Sequence, residues 1–460
     1  MYSKNELLEI KITDITNEGE GVGKVDGFTF FVKDTLIGDE AVIRVTKIKK
    51  TYGYARLERL INPSADRIEA LCPIARQCGG CQIQNMSYDA QLRYKNEKVK
   101  NNLIRIGGFS KEYLNKIMEP IIGAENEGKL TGFRYRNKAQ FPFGTDKNGE
   151  VICGFYAGRT HTIIPTTECY LGVSENKEIL ETILSWMKTY KIKSYDEIKG
   201  SGTVRHVLLR KGYHSGEIMV CIVINQNKLP YEKELIELLL KIKGIKSISY
   251  SVNNKNTNVI MGDNYHTIWG SDTISDTLLG LKFNISPLSF YQVNPVQVEK
   301  LYGKAIEYAS LTGKEEVWDI CCGIGTITLA MASKAKKVHG IEIVPQAIED
   351  ANNNAVENNI KNAEFICASA EEYLPQNADK IKADIIVMDP PRKGMDEKAL
   401  EVVINANPER IVYVSCDSAT LARDLKYLCE RGYELSKLCA TDMFANTIHV
   451  ETVVLISKKA

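Results

Sequence analysis

A cysteine and a glutamate near the end of the sequence are the residues best suited to act on a substrate. Cys416 ends the apolar run RIVYVSC and precedes ATLARDL, which has helical spacing. A thiol at a helix N-terminus has its thiolate favoured by the helix dipole, and the thiolate is the form that attacks carbon. Glu451, 35 residues later on the last apolar run, could serve as a general base. Taken singly, Cys416 could be a buried structural thiol and Glu451 a solvated strand-end residue.

The DPPRKG segment that begins at Asp389 offers a second carboxylate. It follows the apolar run ADIIVM, and each proline fixes φ and removes a backbone donor, so the turn is stiff. Alone, such a turn could be structural, or it could be the amino-group site of a nitrogen methyltransferase. Cys416, at the end of the next strand, favours attack on carbon instead.

The segment VWDICCGIG has the spacing of a cofactor-binding turn. Asp319 ends a predicted strand, and Gly323 and Gly325 lie in the turn before a helix, where glycines let the backbone approach a ligand. Glu342 ends the next strand, where a carboxylate can accept both hydroxyls of a ribose. No third glycine follows where a pyrophosphate would approach. The pattern favours a cofactor without phosphates, such as S-adenosylmethionine, and the alternative is a turn that binds no ligand.

Three regions with different patterns must position these residues. From Gln297 onwards apolar strands alternate with helices, which predicts a doubly wound α/β domain over residues 286–460. Short alternating runs with Gly and Asp turns predict a small antiparallel β-barrel over residues 1–62. Residues 63–285 mix strand and helix patterns, which predicts a central α+β domain. A further extended segment is expected at 282–292.

Four cysteines have a spacing typical of metal ligands. Cys72, Cys78 and Cys81 form the group C-x5-C-x2-C, and Cys169 lies far downstream in TTECY. Four thiolates can hold either zinc or an iron–sulfur cluster. Zinc sites more often contain two C-x2-C pairs, and only one is present here. Zinc, an iron–sulfur cluster and free thiols are therefore the alternatives.

Length and composition indicate a multi-domain chain that is neither secreted nor inserted in a membrane. The 460 residues suggest two to four domains, and no uncharged apolar run approaches the roughly 18 residues of a membrane span. The start, MYSKNELLEI, lacks a signal-peptide pattern. Without such a signal, 12 cysteines favour metal or thiolate chemistry over disulfides. We therefore expect a cytoplasmic protein.

Positive charge is concentrated in the first two-thirds of the chain. Residues 1–300 carry 41 Lys and Arg against 34 Asp and Glu, and residues 301–460 carry 18 against 24. In FRYRNKAQF, alternate spacing is expected to point Arg134, Arg136 and Lys138 to one face of a strand. These basic stretches are either solvated faces or a footprint for nucleic-acid phosphates.

Five segments together have the pattern of one enzyme family. They are FYQVNPVQ, DICCGIGT, DPPRKG, SCDSATLARDL and HVE. With a barrel that resembles a TRAM domain, they resemble the RNA (uracil-5-)-methyltransferases, and among these the 23S ribosomal RNA type that carries an iron–sulfur cluster. The resemblance covers nearly the whole chain, although the family's Cys-Asn-Pro is Cys416-Asp417-Ser418 here.

The resemblance implies a role for each matching position. Cys416 is expected to be the nucleophile and Glu451 the base, and the pocket for S-adenosylmethionine is expected to be lined by Gln292, Cys321, Glu342 and Asp389. It also implies that Cys72, Cys78, Cys81 and Cys169 hold a 4Fe-4S cluster. The expected reaction is methyl transfer to C5 of a uridine in 23S ribosomal RNA, with no obligate protein partner.

Two other functions stay open. The nearest is a transfer-RNA uridine-5 methyltransferase, although the four cysteines and the barrel favour ribosomal RNA because the transfer-RNA relatives resemble this chain without them. The other is a non-catalytic RNA-binding iron–sulfur protein that senses redox state. Such a protein would bind RNA without incorporating methyl groups.

Overall fold

The computed structural model describes residues 2–126, 129–130, 132–158 and 160–459. The outer ends of the predicted domains, 1 and 460, lie outside the described residues, as does residue 159 of the predicted central domain. In the part of the chain that the structure describes, no helix is long and apolar enough to cross a membrane.

The first five strands close into a barrel. Strands β1 to β5 span Leu7–Ile15, Gly21–Val25, Phe28–Lys33, Glu40–Ile48 and Tyr52–Asn62. They are paired in the order β1-β2-β3-β5-β4, with alternate side chains such as Phe30 and Val32 buried inside. A Cβ atom at Gly53 would lie 2.6 Å from the Phe30 ring, so only glycine fits there. The predicted small barrel is confirmed, but β3 and β5 run parallel rather than antiparallel.

Two helices connect the barrel to the rest of the protein. Helices α1 and α2 span Tyr88–Arg105 and Lys111–Ile117, and they precede the two-residue strands β6, Glu125–Asn126, and β7, Lys129–Leu130. The Ser87 side chain caps α1 by accepting a hydrogen bond from the Ala90 backbone N–H at 3.4 Å. Val99 and Leu103 of α1 pack in the same apolar cluster as Ile320 of the C-terminal sheet. This helix therefore belongs as much to the C-terminal domain as to the central region.

A seven-stranded sheet lies at the centre of the chain. Its strands β8 to β14 span Lys138–Thr145, Val151–Tyr156, Ile163–Pro165, Val204–Lys211, Ile218–Ile224, Ile245–Val252 and Tyr265–Gly270, and helices α3 and α4 span Glu175–Thr189 and Glu232–Leu239. The strand order is β10-β9-β8-β11-β12-β13-β14. Trp186 of α3 and Leu235 of α4 are buried against one face. Leu208 and Met219 on the other face join the core of the C-terminal domain, so the sheet is buried on both sides.

The prediction that FRYRNKAQF forms one strand is wrong at its beginning. Strand β8 starts only at Lys138, and Arg134 has a left-handed backbone with φ of 56°. The Arg134 guanidinium donates to Glu168 Oε1 at 2.7 Å, while Arg136 lies against the Phe444 ring. The three basic side chains therefore do not share one strand face.

The C-terminal domain is a doubly wound sheet, as predicted. After the hairpin of β15, Ile274–Leu278, and β16, Leu281–Ile285, come strands β17 to β23 at Glu316–Ile320, Lys337–Glu342, Ala363–Cys367, Ile385–Met388, Arg410–Ser415, Tyr433–Thr441 and Glu451–Lys458. Helices α5 to α10 span Pro295–Ala309, Thr326–Ala332, Pro345–Glu357, Ala370–Gln376, Glu397–Asn405 and Ser418–Cys429, with a short 3-10 helix at Ala378–Lys380. The strand order is β19-β18-β17-β20-β21-β23-β22. The first five strands are parallel, and β23 runs antiparallel to both of its neighbours.

Two details differ from the sequence predictions. The segment 282–292 is extended only to Ile285, because Ser286 and Ser289 close a turn through a 2.8 Å hydrogen bond between their hydroxyls. The last strand begins at Glu451 rather than at Ile448. The catalytic candidate is therefore the first residue of its strand, at the edge where the parallel strands end.

Candidate active site

The strand register brings Cys416 and Glu451 together. Strand β23 pairs antiparallel with β21, and Ser415 is the partner of Thr452. Because the two strands run in opposite directions, Cys416, the residue directly after β21, lies opposite Glu451, the first residue of β23. Cys416 is partly buried and Glu451 is only 5% exposed. The sequence placed these residues at one edge, and the antiparallel strand makes them neighbours.

Burial and two carboxylates act on the Cys416 thiol. Burial contributes most to raising its pKa to about 12, the carboxylates of Glu451 and Asp389 raise it further, and the Arg392 guanidinium lowers it. The helix dipole was expected to favour the thiolate, but in this structure the carboxylates and the loss of water around the thiol outweigh it. The free site therefore holds Cys416 as a thiol.

Glu451 also resists ionisation. Burial raises its pKa to about 8, the Asp389 carboxylate adds to this shift, and the Arg392 guanidinium opposes it. Arg392, an exposed residue of the DPPRKG turn, therefore favours the charged form of both Cys416 and Glu451. Sequence reasoning quoted this motif without singling out its arginine, although a cation beside a thiol and a carboxylate was a usable signal.

The turns after β20 and β21 are tied to each other. Asp417 caps α10, since its carboxylate accepts hydrogen bonds from the backbone N–H groups of Ala419 at 2.9 Å and Thr420 at 3.1 Å. The Thr420 hydroxyl donates to the Arg392 carbonyl at 3.1 Å. This contact fixes the DPPRKG turn beside the thiol.

Asp319 and Glu342 lie near the carboxyl-terminal ends of the neighbouring strands β17 and β18. Asp319 is fully buried; its Oδ2 accepts from the Thr328 hydroxyl at 2.6 Å, and its Oδ1 has no hydrogen-bond partner. Burial raises the Asp319 pKa to about 7. The Glu342 carboxylate accepts from the Gly323 backbone N–H at 3.1 Å and the Val344 N–H at 3.0 Å. A buried acceptor without a partner and a carboxylate at the strand end fit the polar groups of an adenosyl cofactor.

Backbone shape at the glycine-rich turn also fits a ligand. Cys321 has φ of 68° and Gly323 φ of 55°, and a Cβ at Gly323 would meet nothing within 4 Å. Gly325 has φ of 82°, and a Cβ there would lie 2.9 Å from the Phe365 ring. Gly325 is thus required for packing, while Gly323 leaves open space.

Tyr302 links two of the predicted cofactor residues and was missed by sequence reasoning. Its hydroxyl accepts a hydrogen bond from Gln292 Nε2 at 3.3 Å. Burial and the Asp319 carboxylate raise the Asp389 pKa to about 7, and the Tyr302 hydroxyl partly offsets this shift. Tyr302 lies on α5 and is 2% exposed. A tyrosine on the apolar face of a helix has the pattern of a core residue, so nothing in the sequence distinguished it.

The four predicted ligand cysteines line a single cavity. Cys72, Cys78, Cys81 and Cys169 surround a volume of about 390 Å³ together with Arg136 and Lys138. Burial raises the Cys81 pKa to about 12, the other three thiols add to this shift, and Arg136 opposes it. Within the described ranges, no group of three or more His, Cys, Asp or Glu residues has the geometry to hold a metal ion. All four cysteines line one cavity, and both their role as ligands and the iron–sulfur cluster stay predictions.

Two known protein families match two separate parts of the chain, the C-terminal domain and the barrel. The family described as "tRNA (Uracil-5-)-methyltransferase" matches residues 268–459, and the TRAM domain matches residues 4–57. An uncharacterized RNA methyltransferase of Clostridium tetani is 44% identical over 456 residues, covering 99% of this chain and 97% of the relative. One of Halalkalibacterium halodurans is 46% identical over 459 residues, covering 99% and 98%.

A solved structure extends the similarity to three dimensions. It is the Pyrococcus abyssi tRNA (uracil-54, C5)-methyltransferase in complex with S-adenosyl-L-homocysteine, which is 27% identical to this chain. The match has a TM-score of 0.76 and covers 97% of this chain and 99% of that one. With the register that sets a thiol against a carboxylate, these matches show that the chain is an enzyme and belongs to the TRAM-containing family of RNA (uracil-5-)-methyltransferases.

Proposed function

We propose that this protein transfers a methyl group from S-adenosylmethionine to C5 of a uridine in RNA, with Cys416 as the nucleophile and Glu451 as the base. The observation that carries the proposal is the register that sets Cys416 opposite Glu451. Methyl transfer to nitrogen or oxygen needs no thiol at this edge. Methyl transfer to an aromatic carbon does, because that carbon must first be made electron-rich.

The thiol supplies the missing electron density. Uracil C5 is a poor nucleophile, so the Cys416 thiol releases its proton to water and its Sγ adds to C6, which forms a C–S bond and shifts the C5=C6 electron pair to give an enolate. S-Adenosylmethionine, when bound, supplies the methyl group that C5 takes. Removal of the C5 proton by Glu451 then restores the double bond and expels the Cys416 thiolate. Since C6 is hidden in stacked RNA, the target uridine must be unpaired or flipped out.

The pKa of Glu451 suits its role. A base whose pKa lies near the working pH can both take a proton and release it again, and Glu451 has a pKa of about 8. At neutral pH the free site holds this carboxyl mostly protonated. We therefore expect kcat/KM to rise with pH through about 8.

Several residues are assigned to the cofactor. Glu342 is placed at a strand end where it can bind ribose hydroxyls, and the unpaired Oδ1 of Asp319 can accept a hydrogen bond. Gly323 leaves room for close approach, and the remaining proposed contacts are Gln292, Cys321, Gly325 and Asp389. Incorporation of labelled methyl groups into RNA, and its loss when Glu342 is changed to Ala, tests this assignment.

The barrel offers an RNA surface. The rings of Phe31, Tyr52 and Tyr54 on strands β3 and β5 form a cluster with centroids 5.5 to 5.7 Å apart. All three are partly exposed, and Lys33 and Arg56 are neighbours across the same two strands. Aromatic rings with basic neighbours suit unpaired bases and phosphates.

We propose 23S ribosomal RNA as the substrate, because the four cysteines accompany the barrel in this chain. The transfer-RNA alternative is favoured by a different observation, the similarity to the Pyrococcus abyssi tRNA enzyme over almost the full length. Mapping 5-methyluridine in ribosomal and transfer RNA from a strain lacking the gene decides between them. Loss confined to 23S RNA supports the proposal, and loss confined to transfer RNA contradicts it.

We further propose that the cysteine cavity holds a 4Fe-4S cluster. Support comes from the four thiols that line one cavity. A single ion would need its thiolates nearly in contact, at Zn–S distances of about 2.3 Å, whereas a four-iron cluster keeps them farther apart. Iron and acid-labile sulfide measured after purification without oxygen test this proposal. A colourless, iron-free protein contradicts it.

A non-catalytic RNA-binding protein is the remaining alternative. It would bind RNA with the same barrel but incorporate no methyl groups, and changing Cys416 would have no effect. The confirmed family membership favours the enzyme.

A further inference from the structure

Helix α1 contacts the chain beside the proposed nucleophile. Asn102 Nδ2 donates a hydrogen bond to Ser418 Oγ at 2.8 Å. Ser418 is the first residue of α10, two positions after Cys416. Both partners are buried, with Asn102 7% and Ser418 3% exposed. A buried hydrogen bond of this kind fixes the start of the helix that follows the thiol.

The same helix contacts the chain beside the proposed base. Lys98 Nζ donates to the Ile448 carbonyl at 3.0 Å, three positions before Glu451. Lys98 and Asn102 are one helical turn apart, so they lie on the same side of α1. One turn of α1 therefore touches both the segment that follows Cys416 and the segment that precedes Glu451.

These two side chains also meet the barrel. Lys98 Nζ donates to the Asn17 carbonyl at 3.0 Å, and Asn17 Nδ2 donates to Asn102 Oδ1 at 3.4 Å. The Tyr94 hydroxyl, one turn earlier on α1, donates to the Thr16 carbonyl at 3.0 Å. The barrel turn at residues 16–17 is thus joined through α1 to both catalytic segments.

A deeper ion pair holds α1 in place. Lys95 and Asp442 are both fully buried and form an ion pair at 2.5 Å, and the Tyr88 hydroxyl donates to the same carboxylate at 2.7 Å. Asp442 directly follows β22 and begins the loop that leads to β23. This ion pair already anchors the loop to α1, so Lys98 and Asn102 are not needed to hold the helix in place. They can instead set the position of the end of the loop and of the turn that contains Cys416.

We propose that Lys98 and Asn102 are positioning residues that set the distance between Cys416 and Glu451 and couple it to the RNA-binding barrel. The inference rests on the proposed function, because it assigns these two residues to the same reaction. Neither side chain touches the reacting atoms. Their effect on the chemical step comes from geometry, since a displacement of about 1 Å can cost up to about 100-fold in rate.

Removing the Asn102 amide tests the proposal. In Asn102→Ala we expect kcat to fall about tenfold while the affinity for S-adenosylmethionine stays unchanged, because the cofactor pocket lies on other strands. The matched control is Asn101→Ala, which changes the same residue type at the neighbouring, exposed position of α1. Equal kcat values for Asn102→Ala and Asn101→Ala would overturn the proposal.

A double-mutant cycle separates positioning from general packing. Ser418→Ala removes the other half of the hydrogen bond, so Asn102→Ala should have little further effect on kcat in that background. If Asn102 only stabilises the fold, its effects on kcat and on thermal unfolding will add to those of Ser418→Ala, and the proposal fails. Lys98→Met, which keeps the aliphatic stem, should also lower kcat without changing cofactor affinity.

The wild-type enzyme distinguishes failure of this inference from failure of the proposed function. With RNA that contains 5-fluorouridine, the wild type should form a covalent adduct and Asn102→Ala should form it about tenfold more slowly. An adduct formed at equal rates by both proteins contradicts the positioning role alone. Absence of any adduct in the wild type contradicts the proposed function itself.

Discussion

The protein places thiols in two different surroundings, and the neighbours determine what each can do. Cys416 lies alone at a strand end, facing the carboxylates of Glu451 and Asp389. Cys81 lies in a cavity where the neighbours that act on its pKa are three other thiols and Arg136. A thiol beside a base suits covalent chemistry and proton transfer, whereas four thiols around one space suit a shared, positively charged centre.

The two sites also differ in how the chain positions them. Cys416 is fixed by strand register and by the capped helix α10. The cavity cysteines lie on turns, held by contacts such as the hydrogen bond from the Cys72 backbone N–H to Gln84 Oε1 at 2.8 Å. Regular elements thus define the geometry around Cys416, whereas turns and loops define the cavity. The predictions below test this difference, beginning with the largest effect.

Loss of the thiol proposed as the nucleophile should have the largest effect. We expect Cys416→Ala to lower methyl transfer by at least about 1,000-fold, because the substitution removes the group proposed to add to C6. Cys429→Ala, at the far end of the same helix α10, is the matched control and should stay close to wild-type activity. Substantial turnover by Cys416→Ala would remove this residue from the mechanism.

Loss of the base should stop the reaction one step later. In Glu451→Gln we expect kcat to fall about 100- to 10,000-fold, with the methylated RNA still bound to Cys416, because the C5 proton cannot leave. Denaturing gels should show this adduct accumulating with natural RNA. Glu434→Gln, an exposed carboxylate on β22, should show none. An inactive Glu451→Gln without adduct would assign Glu451 an earlier role.

Removing the cation should shift the pH profile. Arg392 lowers the pKa of both Cys416 and Glu451, so in Arg392→Gln both pKa values should rise. The rising limb of kcat/KM should therefore move to higher pH, by about one unit. Arg392→Lys keeps the charge and should keep most of the wild-type pH dependence of kcat/KM. If the rising limb of kcat/KM moves to lower pH in Arg392→Gln, Arg392 does not lower these pKa values.

A change in the cysteine cavity should have the smallest effect on chemistry. We expect Cys81→Ser to lose bound iron and to raise the KM for RNA about three- to tenfold, with kcat nearly unchanged, because the cavity is separate from the reacting groups. Cys367→Ser, an exposed cysteine, is the control and should keep both iron and KM. A large fall in kcat would indicate that the cavity takes part in the reaction.

The sequence predicted the elements of the catalytic domain well because its strands are continuous apolar runs. All four candidate residues lie at the predicted edge: Asp319 is next to the last residue of its strand, Asp389 and Cys416 directly follow theirs, and Glu451 begins its own. Strand β22, YELSKLCAT, was not predicted, because its mixed polar and apolar residues lack a clear period. Yet insertion of β23 between β21 and β22 is what sets Glu451 opposite Cys416.

Long-range contacts were beyond the reach of sequence patterns. The buried Lys95 on α1 has its partner, Asp442, 347 positions away, and no local period indicates such a pair. Tyr302 likewise has the pattern of an apolar helix face. The domain boundaries at 62 and 285 stay predictions. Helix α1 packs against the C-terminal core, so separating the central region from the C-terminal domain at residue 285 would divide a shared core.

The most direct test is the mass of the protein after reaction with 5-fluorouridine RNA and S-adenosylmethionine. Fluorine at C5 cannot leave as a proton does, so the proposed reaction should stop as a stable adduct. We predict one RNA fragment bound per chain, mapped by digestion to the peptide that contains Cys416. Methylation of natural RNA without any adduct, or an adduct on another cysteine, would contradict the account.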